Sequence, residues 1–218
     1  MERKITELKI QRKNPNRINV YLDGEFAFGL SRIVAAWLEV GQSISEEKIK
    51  SLLSQDEIES AYQLALNYIN YQPRTKSEVT RRLERNSIPE QTIQSAVNKL
   101  EKKGLLNDYQ FAKDWIENRN TFRPRSRRAL AYELNNKGIN PNTITALLDE
   151  VDEPAMAYRA ASKQSKKYRH DNWDSFRKKM FGFLSRRGFS YELSTLTVKK
   201  VWDEILAENR PIEEKEKL

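Results

Sequence analysis

Leu83, Leu134 and Leu184 stand 51 and then 50 residues apart, and each heads the same short pattern. Five residues on are Ile88, Ile139 and Phe189, and fourteen on are Val97, Leu148 and Val198. The residue before the fifth position is Ser87, Gly138 or Gly188, and upstream Ala61 and Ala112 match in the first two copies. Self-similarity at a fixed period marks stacked supersecondary units, each too small to bury a full core alone. The repeat predicts a mainly α protein of three tandem three-helix repeats forming an elongated, curved body. Such a shape suits an extended target better than the enclosure of a small molecule.

Helix signals divide each unit into three. The first reads as helices over 57–71, 76–86 and 89–103, with a Thr75/Glu78 capping box, Pro89 at the first turn of the third helix and Gly104 as its stop. The second reads as 108–120, 126–137 and 141–150, with Asn107 as N-cap, Gly138 as stop and Asn140-Pro141 as restart. The third reads as 154–168, 173–187 and 191–207, with Pro154 at the start, Gly188 as stop and Ser190 as N-cap. The domains expected are therefore 56–106, 107–151 and 152–207, followed by a disordered tail over 208–218.

Residues 1–55 have a different period. Leu8 and Ile10, then Ile18, Val20 and Leu22, then Phe26, Phe28 and Leu30 alternate with other residues in the manner of strands. Asp23-Gly24 between two such runs signals a tight hairpin. The segment reads as a small three-stranded β-meander followed by two short helices. Ser31 caps the first, which runs through Leu38; Ser43 and Glu46 have capping-box spacing for the second, which runs through Leu53. Asp56 then opens the first repeat, with Ile58, Ala61, Tyr62, Ala65 and Ile69 on one stripe.

Composition narrows the chemistry. The 218 residues include no Cys and one His, His170, which removes thiolate nucleophiles, disulfides and Cys- or His-rich metal sites. The seven glycines form neither a dinucleotide nor a P-loop phosphate cradle, so no cofactor or metal is expected; carboxylates alone could still support enzyme chemistry, though no pair of them stands out. Mean hydropathy is −0.80 and no apolar run approaches a membrane span. With no signal peptide at Met1-Glu2-Arg3-Lys4-Ile5, a cytoplasmic protein is expected.

Charge is the positive clue. A formal net charge of +8 favours polyanionic partners or acidic protein surfaces. Basic residues recur around the middle helix of each unit. The candidate partner- and DNA-binding residues are Arg74, Arg81 and Arg82 in the first unit and Arg119, Arg123, Arg125, Arg127 and Arg128 in the second. In the third they are Lys163, Lys166, Lys167, Arg169, Arg186 and Arg187. Solvated faces are the plain alternative for any one of them. The run 119–128 is set apart because its five arginines meet no acidic residue within it. Most aromatics, among them Tyr62, Tyr68, Phe111, Trp115, Phe176, Phe181 and Trp202, fall on apolar stripes and read as core. Phe122, Tyr168 and Trp173 lie among basic residues near segment ends, where stacking on bases is the functional reading and packing the plain one.

Several motifs resemble the RecX family, bacterial regulatory proteins that act on the RecA recombinase. They are Pro73-Arg74-Thr75-Lys76-Ser77-Glu78-Val79 with Arg82-Leu83, then Gly104-Leu105-Leu106-Asn107-Asp108 with Phe111-Ala112 and Arg119. Glu133-Leu134 with Lys137-Gly138-Ile139 follows, and Phe183-Leu184-Ser185-Arg186-Arg187-Gly188-Phe189-Ser190 closes the set. The resemblance spans about residues 57–205, and 1–55 looks like the N-terminal extension of some Gram-positive members. Ser87 in place of Gly, and Arg123-Pro124-Arg125 in a loop where relatives often carry Gly, depart from the pattern. The resemblance implies a modulator, not an enzyme, that binds along the RecA filament groove and mostly inhibits ATPase, strand exchange and coprotease activity; a monomer is the expected state. It would thereby tune DNA repair, recombination and the SOS response. Single- or double-stranded DNA is the expected weaker, electrostatic partner. The competing reading is a sequence-nonspecific DNA-binding helical repeat with no recombinase partner.

Overall fold

The computed structural model describes residues 2–208. The chain forms two compact units, meeting in sequence between Asn107 and Asp108. The expected tail over 208–218 lies, beyond Glu208, outside the described residues.

The first unit begins with β1 (Glu2–Ile10), β2 (Arg17–Leu22) and β3 (Glu25–Ser31), joined as the alternation predicts. Asp23 and Gly24 both take positive φ, +52° and +91°, the geometry whose twist matches the flanking strands of a two-residue hairpin. The sheet has a fourth strand that the sequence did not signal. Ser43–Ser45 (β4) pairs antiparallel with the start of β1, giving the order β3-β2-β1-β4. Ser43 is thus a strand residue, and Ser45 is the N-cap whose side chain accepts from Lys48 N–H. The short helix α1 covers only Arg32–Ala35, and the Ser31 side chain makes no capping bond.

The larger correction concerns α2, Glu46–Tyr71, which is one helix of 26 residues where two were expected. No Gly or Pro interrupts it, and Asp56 does not open it. Asp56 is buried in its middle, accepting from Ser31 N–H at 2.6 Å and from Arg17 Nη2 at 2.8 Å. Its N-terminal half packs Leu52 with Ile5, Val20, Leu22, Leu30 and Ile44 of the sheet core. Its C-terminal half packs Ala61, Tyr62 and Ala65 with Val79, Leu83, Ala96 and Leu100. The expected division at 55/56 falls inside this helix, which closes the sheet module and opens the first repeat. That repeat is completed by α3 (Lys76–Glu84), with its Thr75/Glu78 capping box, and α4 (Glu90–Lys102); Pro89 is the N-cap residue of α4, one place before the helix.

Among the described residues the second unit holds six helices: α5 (Asp108–Phe122), α6 (Arg127–Asn136), α7 (Pro141–Asp149), α8 (Glu153–Ser165), α9 (Trp173–Arg186) and α10 (Tyr191–Glu208). One core runs through both of its repeats, joining Leu130, Leu134, Ile144 and Leu148 to Met156, Phe176, Met180, Leu184 and Val198. Leu83, Leu134 and Leu184 are each completely buried, as equivalent positions of three repeats should be.

The middle helices of all three repeats stop alike. Ile88, Ile139 and Phe189 N–H reach back to the carbonyls of Leu83, Leu134 and Leu184, while Ser87, Gly138 and Gly188 N–H bond those of Glu84, Asn135 and Ser185. This is the Schellman arrangement, and it needs a left-handed residue after the helix. Gly138 and Gly188 supply it at φ +76° and +89°; Ser87 adopts it too, at +57°, despite its Cβ. The departure at Ser87 changes the cost of the stop and leaves its geometry intact.

Candidate partner-binding surface

In the second unit Phe111, Trp115 and Arg119 follow one another at four-residue spacing along one stripe of α5, and Glu133 of α6 is followed four residues on by Lys137, the C-cap residue of that helix. Phe111 and Trp115 stack with centroids 5.9 Å apart. The Arg119 guanidinium lies 4.6 Å from the Trp115 ring, and Lys137 Nζ lies 5.2 Å from the same ring. Glu133 ties the group together. Its Oε2 accepts from Trp115 Nε1 at 2.7 Å and from Arg119 Nε at 2.8 Å, and its Oε1 accepts from Arg125 Nε at 2.9 Å. The arginines of 119–128 meet no acidic residue within that run, but Glu133 binds two of them across the fold from α6.

Two more arginines are committed internally. Arg127 donates through Nε and Nη2 to the Val151 carbonyl, and its N–H donates to Glu153 Oε1 at 3.0 Å. Arg187 donates to the carbonyl of buried Pro124 at 3.0 Å and lies 4.4 Å over the Phe183 ring. Burial, with repulsion from Arg125 and Arg123 added, pulls Arg187 below the ordinary arginine pKa. This pocket also explains Arg123-Pro124-Arg125, whose proline carbonyl is an acceptor for the third repeat. Ser126 N–H donates to the Arg187 carbonyl at 3.1 Å, so the second and third repeats are stitched through backbone as well.

What remains exposed in this unit is Arg123 and Arg128, then Lys163, Lys166, Lys167 and Arg169 around the C-terminal end of α8, and Arg186 at the end of α9. Arg169 stands 3.9 Å from Glu208, both largely solvated, a pair of little energetic weight. Phe122 is 64% exposed beside Arg123 and keeps its availability for stacking. Trp173 and Tyr168 do not: both pack on the core, Trp173 against Trp202 at 5.5 Å. In the first unit, Arg74 lies 4.3 Å over Tyr68 and 3.8 Å from Glu78, with little of its side chain exposed. Arg74 and Arg125 occupy the same repeat position, directly before the N-cap, and each is held by a glutamate of the helix that follows. Arg81 bonds the Ser77 carbonyl and hydroxyl on its own helix, and Arg82 is exposed.

The fourteen candidate residues thus fall into two sets. Arg74, Arg119, Arg125 and Arg127 have side chains engaged within their own repeats, Arg187 reaches from the third repeat to Pro124 of the second, and the rest face solvent. Glu133, the residue that sorts them, was missed because its partners lie 14 and 8 residues away along the chain. Only the fold, which carries Arg119 of α5 and Arg125 of the following segment to Glu133 of α6, brings the three together. Among the described residues no helix is long and apolar enough to cross a membrane.

These features define a class: tandem three-helix repeats preceded by a small antiparallel sheet. Four family models match in succession: the regulatory protein RecX N-terminal domain over residues 3–45, and the first, second and third RecX three-helix domains over 61–100, 107–148 and 151–194. The chain belongs to the RecX family of regulatory proteins. It is 28% identical over 205 residues to the regulatory protein RecX of Clostridium perfringens (strain SM101 / Type A), covering 91% of this chain and 96% of that one. It is 25% identical over 209 residues to that of Bacillus cytotoxicus, covering 92% and 77%. A crystal structure of a regulatory protein RecX superposes with a TM-score of 0.70 at 25% identity, over 92% of this chain and 99% of that one. RecX from Lactobacillus salivarius does so at 0.59 and 28%, over 67% and 97%. The N-terminal match extends the resemblance to the sheet module.

Proposed function

We propose that this protein modulates the RecA recombinase in the cytoplasm, as a monomer and without catalysis of its own. It binds along the groove of the recombinase filament and inhibits its ATPase, strand-exchange and coprotease activities. The observation that carries this reading is the ordered succession of four RecX domains between residues 3 and 194. The exposed cations support it: Arg82 in the first unit, and Arg123, Arg128, Lys163, Lys166, Lys167 and Arg186 in the second, suit phosphate and carboxylate alike. The structural arginines are not part of that contact. Reversing Arg125 or Arg127 disturbs internal bonds and so confounds a test of the surface.

The deciding experiment titrates the protein into the cognate recombinase hydrolysing ATP on a large excess of single-stranded DNA. Inhibition well below one molecule per recombinase protomer supports action on the filament. Inhibition only as the DNA saturates supports instead a nonspecific DNA-binding repeat protein, with affinity falling by about 0.7 logarithmic units per phosphate contact for each tenfold rise in salt.

A further inference from the structure

We infer that a groove between α9 and α10 is a docking site for an acidic protein segment carrying a bulky apolar side chain. The groove holds about 540 Å³, within the range of roughly 300–1,000 Å³ usual for built sites. Trp173, Phe181, Gly182, Tyr191 and Val198 give it an apolar lining. Arg177, Lys178 and Lys199 edge it against a single carboxylate, Asp174, and none of the three has an ion-pair partner among the described residues.

Gly182 is the second observation. It sits in the interior of α9, where glycine weakens a helix relative to alanine. Nothing in the fold demands it. Its φ is not left-handed, and an added Cβ would meet only the end of the Arg186 side chain, Nη1 at 3.3 Å. The equivalent positions of the other repeats, two before the shared leucine, carry Arg81 and Tyr132. A missing side chain at this one floor position deepens the groove by the space a residue would fill. That is the expected arrangement where another backbone or a large side chain approaches closely.

Charge selects the occupant. A net excess of unpartnered cations around an apolar floor complements a segment with carboxylates flanking an aliphatic or aromatic residue, the pairing that gives both register and attraction. The aromatic lining does not favour a nucleobase. Phe181 and Tyr191 already pack edge to face at 5.0 Å, and Trp173 packs on Trp202, so no two rings are left to sandwich a base.

The test uses the isotope-labelled full chain and a synthetic ten-residue peptide with Leu-Phe between two runs of four Glu. The amides of Gly182, Thr195 and Lys199 shift on titration, and replacing Leu-Phe by Ala-Ala weakens binding at least tenfold. Gly182→Leu fills the floor and loses binding at least tenfold with unchanged circular dichroism. The double variant Arg177→Glu, Lys199→Glu does the same from the rim, so a folding failure in one variant leaves the other. The proposal is overturned if the peptide leaves those amides unmoved or if the Ala-Ala peptide binds equally. It is also overturned if oligo-dT moves Gly182 and is the ligand that Gly182→Leu expels. No recombinase is present in this titration, so its outcome is independent of the function proposed above.

Discussion

Gly188 and Ser126 meet so closely where the second and third repeats join that a Cβ on the glycine would stand 2.5 Å from the serine Oγ. The same serine caps α6 through Ala129 N–H at 3.1 Å, so it has little freedom to retreat. The glycine is also left-handed, at φ +89°. One position therefore ends α9, seats it against the start of α6, and admits no side chain.

Gly188→Ala should lower stability by about 2–4 kcal/mol, the sum of about 1–2 kcal/mol for a left-handed non-glycine residue and the clash with Ser126. Ser87→Gly should act in the opposite sense, stabilising by about 0.5–1 kcal/mol once the greater freedom of glycine in the unfolded chain is subtracted. Urea unfolding midpoints of the two variants check both. Equal signs would mean that the stops of these helices are not governed by the left-handed residue.

Glu133→Ala should cost about 2–3 kcal/mol, because it strands the Trp115 N–H and the Arg119 guanidinium in a partly buried setting. The Arg125 arm, more exposed, adds little. Unfolding should be accompanied at lower denaturant by a change in Trp115 fluorescence, read in a chain whose other tryptophans are replaced by Phe. An unchanged midpoint would mean that the hub is solvated and energetically idle.

Replacing Arg123, Arg128, Lys166 and Lys167 together by Glu should abolish inhibition of the recombinase at unchanged helical content. Arg127→Glu should instead lower stability by about 1–3 kcal/mol, since it removes the bonds to the Val151 carbonyl, and Arg125→Glu should lower it less, its pair with Glu133 being more exposed. Normal inhibition by the fourfold variant would exclude those cations from the interface.

Asp56→Ala should loosen the sheet module from α2 by about 3–5 kcal/mol, leaving Arg17 without its partner and Ser31 N–H without its acceptor. Hydrogen exchange at Ser31 and along β3 is the readout. Protection equal to the parent chain would show that apolar packing around Leu52 alone seats the helix.

Asp171 offers a pH test. The hydrogen bond from Lys179, at 2.8 Å, holds its carboxyl below the ordinary value of 3.8, with a smaller contribution from Ser175. A depressed folded-state pKa stabilises above pH 3.8 and is lost as pH falls through the folded value. Lys179→Ala should move the Asp171 carbon-13 titration back up towards 3.8. No movement would mean that the ion pair does not persist in solution.

The repeat was legible because Leu83, Leu134 and Leu184 obey a period that only equivalent burial requires, and all three are buried. The helix stops were legible at Gly138 and Gly188, where the residue type matches its backbone. At Ser87 residue type and conformation disagree, and the contacts of the Schellman turn prevail. Strand β4 was not legible, because three residues of Ser-Ile-Ser carry no period. Its pairing with β1 is set by where the chain returns after α1. The continuity of α2 was missed because Asp56 has the chemistry of a cap. In the fold that carboxylate serves Arg17 and Ser31 from the sheet.

The amino-acid order by itself determined the class of the molecule: three helical units, a strand-rich segment before them, a basic surface and no nucleophile or metal set of Cys or His. These follow from periodicity and composition, which act locally and survive without knowledge of neighbours. Tertiary structure alone decided which cations are available. An arginine is committed or free according to whether a carboxylate or carbonyl from another helix comes within about 3 Å of it. For Arg119, Arg125, Arg127 and Arg187 those partners are Glu133, Val151 and Pro124, brought there by packing between helices that no local pattern encodes.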